Sequence, residues 1–187
     1  MACSITAAKG LDCKDTVGGV KALYLGDFDP LSSIGFTYAS GVLDGIDSDL
    51  SLFRYDVQPS TSGMTFAVQN DPGGSAAITV TLEVTFNGLS QVNSETLQTL
   101  IQTRFYCFVL DANDNIYSMG LVNGCTVTAG AGGTGTARTD LSGYTLTITA
   151  SENNYPAAIT ASASAAAANA PFDSIDGGTG TITVTNP

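Results

Sequence analysis

The 187-residue chain carries six Lys and Arg against seventeen Asp and Glu, a net charge of −11, and has neither histidine nor tryptophan. Without histidine there is no Ser-His-Asp or Cys-His catalysis, no imidazole metal site and no general base of the usual kind near neutral pH. The acidic balance argues against a nucleic-acid binder, since a negative surface repels phosphate.

Charged residues make up only 12% of the chain and apolar ones 43%. That combination belongs to protein that buries surface, in its own core or against partners. The length suits one domain with a sizeable core. No run of ~18 apolar residues is long enough for a membrane-spanning helix. The N-terminus, MACSITAAKG, lacks the apolar stretch of a signal peptide. Cys3, Cys13, Cys107 and Cys125 show no Cys-x-x-Cys spacing. These features predict synthesis in a reducing cytoplasm with free, mostly buried thiols. A Cys3–Cys13 or Cys107–Cys125 bridge is the alternative.

Residues 1–19 read as irregular and end in Gly18-Gly19. VKALYLG (20–26) and IGFTY (34–38) read as strands, with a turn at Asp29-Pro30 between them. GVLDGIDSD (41–49) reads as a turn region rich in glycine and aspartate. LSLFRYDV (50–57) and GMTFAVQN (63–70) are strand candidates, and Asp71-Pro72-Gly73-Gly74 breaks the chain. From 78 to 87, Ile78, Val80, Leu82, Val84 and Phe86 alternate with Thr79, Thr81, Glu83, Thr85 and Asn87. Strict period two means one apolar face and one face that needs water.

NSETLQTLIQT (93–103) is the one convincing helix, with Asn93 or Ser94 as cap and Glu95 in the first turn. Leu97, Leu100 and Ile101 form the stripe by which it packs on a sheet. RFYCFVLD (104–111) is apolar on both faces, so both faces are covered. ANDN (112–115) turns the chain into NIYSMGL as partner strand. Residues 125–129 and 140–150 read as a pair flanking a glycine-rich loop, 129–137. Residues 156–170 are rich in Ala and Ser, and TITVT (181–185) is a last short strand.

Gly130 to Gly135 matches G-x-G-x-x-G, yet a phosphate loop opens a helix, whose N-terminus holds the anion. This one opens a strand, so it reads as a connector on a β scaffold, with Gly130, Gly132, Gly133 and Gly135 as a mobile assembly loop. Asp111, Asn113 and Asn115 begin like an EF-hand, but Ile116 and Val122 stand where Gly and Glu are needed. Asp44, Asp47 and Asp49 in one loop read as solvated acids rather than a cation site. Glu83 on a Thr-lined strand and Glu95 in a helix turn are explained without glycosidase chemistry. The expectation is therefore a chain with no catalytic residues, no metal site and no cofactor.

Two segments carry a resemblance. The opening MACSIT with DCKDTVGGVKALYLGDFD, and later FVLDANDNIYSMGLVNGCTVTAG followed by GTARTDLSGYTLTITASE, resemble bacteriophage tail tube proteins. The span Cys13 to Lys21 and Asp140 to Tyr144 are its most specific parts. The resemblance covers roughly residues 1–152. It implies a mainly β fold, a β-sandwich or small barrel with one flanking helix. Such subunits form stacked rings, hexameric in this family, around a lumen through which DNA leaves the head. On that reading 1–152 is the tail-tube-like domain and 153–187 an Ala/Ser-rich extension with a short terminal strand. The partners are further copies and other tail proteins. DNA passes without specific binding, no membrane is involved, and the location is the virion tail after synthesis in the bacterial cytoplasm. Thr79, Thr81, Glu83 and Thr85 are the candidate lumen face, since a row of carboxylates and hydroxyls offers nothing to hold phosphate. A capsid decoration or head–tail connector protein is the alternative, and a soluble ligand-binding β-module the third.

Overall fold

The computed structural model describes residues 17–29, 34–39, 41–58, 60–70, 76–159, 171–172, 175 and 178–187. Among them lie β1 (Val20–Asp27), β2 (Phe36–Ala39), β3 (Val42–Ile46), β4 (Leu50–Asp56), β5 (Gly63–Asn70) and β6 (Ala76–Asn87). The helix α1 (Gln91–Gln102) follows. Then come β7 (Phe105–Asp111), β8 (Ile116–Met119), β9 (Thr126–Gly133), β10 (Gly143–Glu152), β11 (Ala158–Ile159) and β12 (Ile182–Thr185). The fold is mainly β, a sandwich of curled sheets with one helix, as expected.

A four-stranded sheet, β5-β6-β10-β9, packs on an eight-stranded one, β12-β4-β1-β7-β8-β11-β3-β2. The first core lies between them. Leu23, Leu25, Cys107 and Val109 of the larger sheet meet Val80, Leu82, Val84 and Ile148 of the smaller, with Leu100 of α1 at the margin. A second core covers the far face of the larger sheet, built from Tyr24, Leu52, Phe108, Ile116, Ile159, Phe172 and Val184. Two cores on one sheet explain why β1 and β7 are apolar on both faces, as the pattern at 104–111 predicts.

The second core exists because the larger sheet curls. β3 and β4 are joined by three residues, yet they stand seventh and second in the strand order. Five strand spacings across a flat sheet come to roughly 24 Å, whereas that connection spans about 14 Å at most. The sheet therefore bends until its two ends approach. The C-terminal segment closes the gap. Gly180 N–H donates to Ile46 O at 2.9 Å, Leu50 N–H to Thr181 O at 2.9 Å, and Thr179 Oγ1 to Asp47 O at 2.9 Å. A Cβ at Gly178 would overlap the Ile46 carbonyl, and one at Gly180 the Ser48 carbonyl, so only glycine permits this approach.

Several elements differ from the sequence reading. Residues 42–46 form a strand rather than part of a turn region, because Leu43 and Ile46 are buried and both neighbours supply ladders. The helix starts at Gln91, with no acid in its first turn. Ser94 lies inside it and returns its hydroxyl to Ser90 O at 3.0 Å. The expected stripe is split, for Leu100 is buried, Leu97 half-buried and Ile101 59% exposed. Residues beyond 152 contribute β11, β12 and Phe172 to the larger sheet and its core. The turn at 112–115 matches expectation, Asp111 Oδ1 accepting the N–H groups of Asn113 (2.8 Å) and Asn115 (2.7 Å). Cys107 and Cys125 are buried and free. Burial, with Cys107 alongside, pushes the Cys125 thiol well up. Cys3, Cys13, residues 13–16 of the Cys13–Lys21 span, the turn at 71–74 and residues 160–170 lie outside the described residues.

Candidate functional site

The two groups of residues singled out by sequence meet on the smaller sheet. Thr79, Thr81, Glu83 and Thr85 lie on β6, Gly130, Gly132 and Gly133 on β9, and β10 runs between them. In register, Thr147 of β10 stands between Glu83 of β6 and Ala129 of β9, and Thr149 beside Thr81. Thr65 and Ala67 of β5 continue these rows opposite Thr81 and Thr79. The outward face is thus a field of threonine with alanine, and Glu83 is its one formal charge among the described residues. The described cations lie elsewhere: Lys21 on β1, Arg54 on β4, Arg104 before β7 and Arg138 in the β9–β10 connection.

Threonine suits such a face. It is β-branched, and its hydroxyl stitches strands together. Thr65 Oγ1 donates to Thr81 O at 3.4 Å, Thr128 Oγ1 to Thr147 O at 3.3 Å, and Thr145 Oγ1 to Ala131 O at 3.4 Å.

Thr85 departs from the predicted open row. It is 6% exposed. Its N–H donates to Ser62 Oγ at 3.2 Å and its hydroxyl to Thr61 O at 3.5 Å. The segment entering β5 roofs that end of the strand, so the open row is Thr79, Thr81 and Glu83.

The glycine stretch is also different from a loop. Gly130, Gly132 and Gly133 pair with Leu146, Tyr144 and Gly143 of β10, and only Gly135, at φ 70°, belongs to the connection. That connection is organised by Asp140. Its Oδ2 accepts the N–H groups of Thr136 (2.9 Å) and Ala137 (2.7 Å) and the Thr136 hydroxyl (3.1 Å). These bonds, the Ala137 N–H first, hold the Asp140 carboxyl below its ordinary range.

β9 and β5 are the two outer strands of the sheet, and each is exposed along most of its length. On β5, Phe66 and Val68 pair with Val80 and Ile78. They point to the core side yet are 48% and 49% exposed, projecting past the core. Beside β9, the gap to α1 forms a groove of about 500 Å³. The helix is tied there by a bond between Ser94 Oγ and Tyr144 Oη at 2.7 Å. The sequence reading missed Phe66 and Val68. Their alternation with Thr65 and Ala67 was visible, but not their place on an outer strand.

Of the acids at 44–49, Asp49 has a structural role. Asp49 Oδ1 accepts the Thr181 N–H at 2.9 Å, and among the described residues no three His, Cys, Asp or Glu side chains gather as a metal site. Among those residues, too, no helix is long and apolar enough to cross a membrane. No protein-family model matches the chain, and neither a curated protein nor a solved structure matches it significantly.

Proposed function

We propose that this chain is the structural subunit of a bacteriophage tail tube, assembling through self-contacts into stacked rings that conduct DNA and joining other tail proteins in the virion. The observation that carries the reading is the smaller sheet: four strands, both outer strands exposed, and an outward face with no cation among the described residues. A long exposed edge is a liability unless another chain pairs with it. Here the two edges suit each other. β5, β6, β10 and β9 alternate in direction, so β9 runs antiparallel to β5. Rotation about a ring axis preserves strand direction, and β9 of one copy meets β5 of the next as an ordinary antiparallel pair.

Six copies, the number the resemblance implies, would supply twenty-four strands, four from each. At ~4.8 Å spacing and ~40° tilt that wall is about 48 Å across, in the range where barrels enclose an open channel. The threonine face then lines the channel. It offers hydroxyls and one carboxylate per copy, so phosphate finds no fixed positive charge to hold it. On this reading the chain is not an enzyme and needs no cofactor.

Sedimentation velocity and electron microscopy of the purified protein test this directly. Rings or long hollow polymers are expected as concentration rises. Trimers would favour a decoration protein, and a monomer at high concentration would refute the tube.

A further inference from the structure

Resting on that reading, we infer that the groove between α1 and β9 is the socket for Phe66 and Val68 of a second copy, a head-to-tail seam of defined register. Three features of the described residues converge on it. First, the groove is apolar and open. It is lined by Leu97, Ile101, Val127, Gly130, Gly132 and Leu146, and Ile101 is 59% exposed at its rim. The helix is anchored by Leu100 and partly by Leu97, which leaves Ile101 largely uncovered. Exposed apolar surface lining a concavity is what a docking surface offers.

Second, the opposite outer strand carries the matching projection. Phe66 and Val68 stand on the core side of β5, about half exposed and two residues apart. Gly130 and Gly132 stand on the core side of β9, also two residues apart, opposite Leu146 and Tyr144. A copy of β5 laid antiparallel along β9 puts its core side on the same side of the extended sheet. Two bulky side chains then come alongside two glycines. With Phe66 beside Gly132 and Val68 beside Gly130, residues 65–70 of one copy run along residues 128–133 of the other.

Third, the glycines have a steric use. A Cβ at Gly132 would stand 2.7 Å from Tyr144 Cδ1, and one at Gly130 2.9 Å from Leu146 Cδ2. The Tyr144 and Leu146 side chains lean over these positions, so together with the bare glycine backbone they form the wall that an incoming residue meets. Glycine weakens a strand by itself, and a close-packed neighbour accounts for its use here. The occupant is a second copy because knob and socket lie at opposite edges of one sheet and cannot meet within one chain.

The test uses full-length protein with Phe66→Asp, Val68→Asp or Ile101→Asp. All three positions are about half exposed, so circular dichroism should match wild type. Each variant alone should need roughly a hundredfold or more higher concentration to assemble, because the seam would bury an unpaired charge. Phe66→Asp keeps its socket and Ile101→Asp keeps its knob. Mixed in equal amounts, they should form dimers joined by a single seam, with no rings. Variants that assemble like wild type, or a mixture that stays monomeric, would overturn the seam while leaving the tube reading intact. A wild-type protein that never assembles would overturn both.

Discussion

Phe172 offers the sharpest test of how the chain holds together. It is 2% exposed and sits in the second core. Its ring meets Tyr24 edge-on, with centroids 5.0 Å apart and planes at 89°, and Phe108 at 5.4 Å and 71°. Phe172→Ala removes the buried ring, loses both aromatic pairs and leaves a cavity in a sheet that cannot collapse freely. Burial and cavity together cost about 3–5 kcal/mol, with the edge-on pairs placing this case near the middle or above. Against a total stability of roughly 5–15 kcal/mol this is a large fraction. With a urea slope near 2 kcal/mol/M, the unfolding midpoint should fall by about 2 M with the slope unchanged. Tyr155→Ala, at a 62% exposed position, is the control and should stay within about 0.5 kcal/mol. Urea titration followed by circular dichroism reads both. A midpoint shift below about 0.5 M for Phe172→Ala would refute the claim that the C-terminal segment is part of the second core.

Glu83→Lys should leave ring assembly largely intact but slow DNA ejection, most at low salt where screening is weakest; unchanged kinetics at low salt would remove Glu83 from the channel wall. The Asp140 carboxyl is held low, so its contribution is present above the unfolded carboxylate value and lost as pH falls through the lower folded value. The 134–142 connection should therefore stay ordered at neutral pH and loosen only in acid below the ordinary carboxylate range. Asp140→Asn should loosen it at every pH, read as faster hydrogen exchange at the Thr136 and Ala137 amides, and unchanged protection would contradict the assignment. Gly178→Val should destabilise the fold strongly in the same urea titration, because its side chain would overlap the Ile46 carbonyl; a wild-type midpoint would refute the close backbone approach.

What the sequence revealed depended on whether a signal was local. The period-two run at 78–87 showed its faces because burial on one side dictates alternation. β7 showed burial on both sides for the same reason, and Asp111 to Asn115 carried its turn within five residues. β3 was hidden because Asp44 and Gly45 are turn residues by propensity, and its ladder to β11 comes from distant sequence. β9 was hidden because Gly130, Gly132 and Gly133 lack the side chains that favour strands, and pairing with β10 decides the matter. The second core was illegible because Phe172 reaches Tyr24 across most of the chain.

For the candidate site, periodicity identified the polar face of β6 but not its roof. Thr85 is covered by Thr61 and Ser62, more than twenty residues earlier. Nor could the sequence say which strands are outermost, since that follows from strand order alone. Phe66 and Val68 stand out only when β5 is seen at the end of its sheet.

A cryo-electron microscopy reconstruction of the assembled protein tests the central claim most directly. The account predicts a closed antiparallel barrel in which β9 of each copy pairs with β5 of the next, with Thr79, Thr81, Glu83 and Thr147 facing the lumen. An assembly with this sheet on its exterior, or with its two edges unpaired, would contradict it.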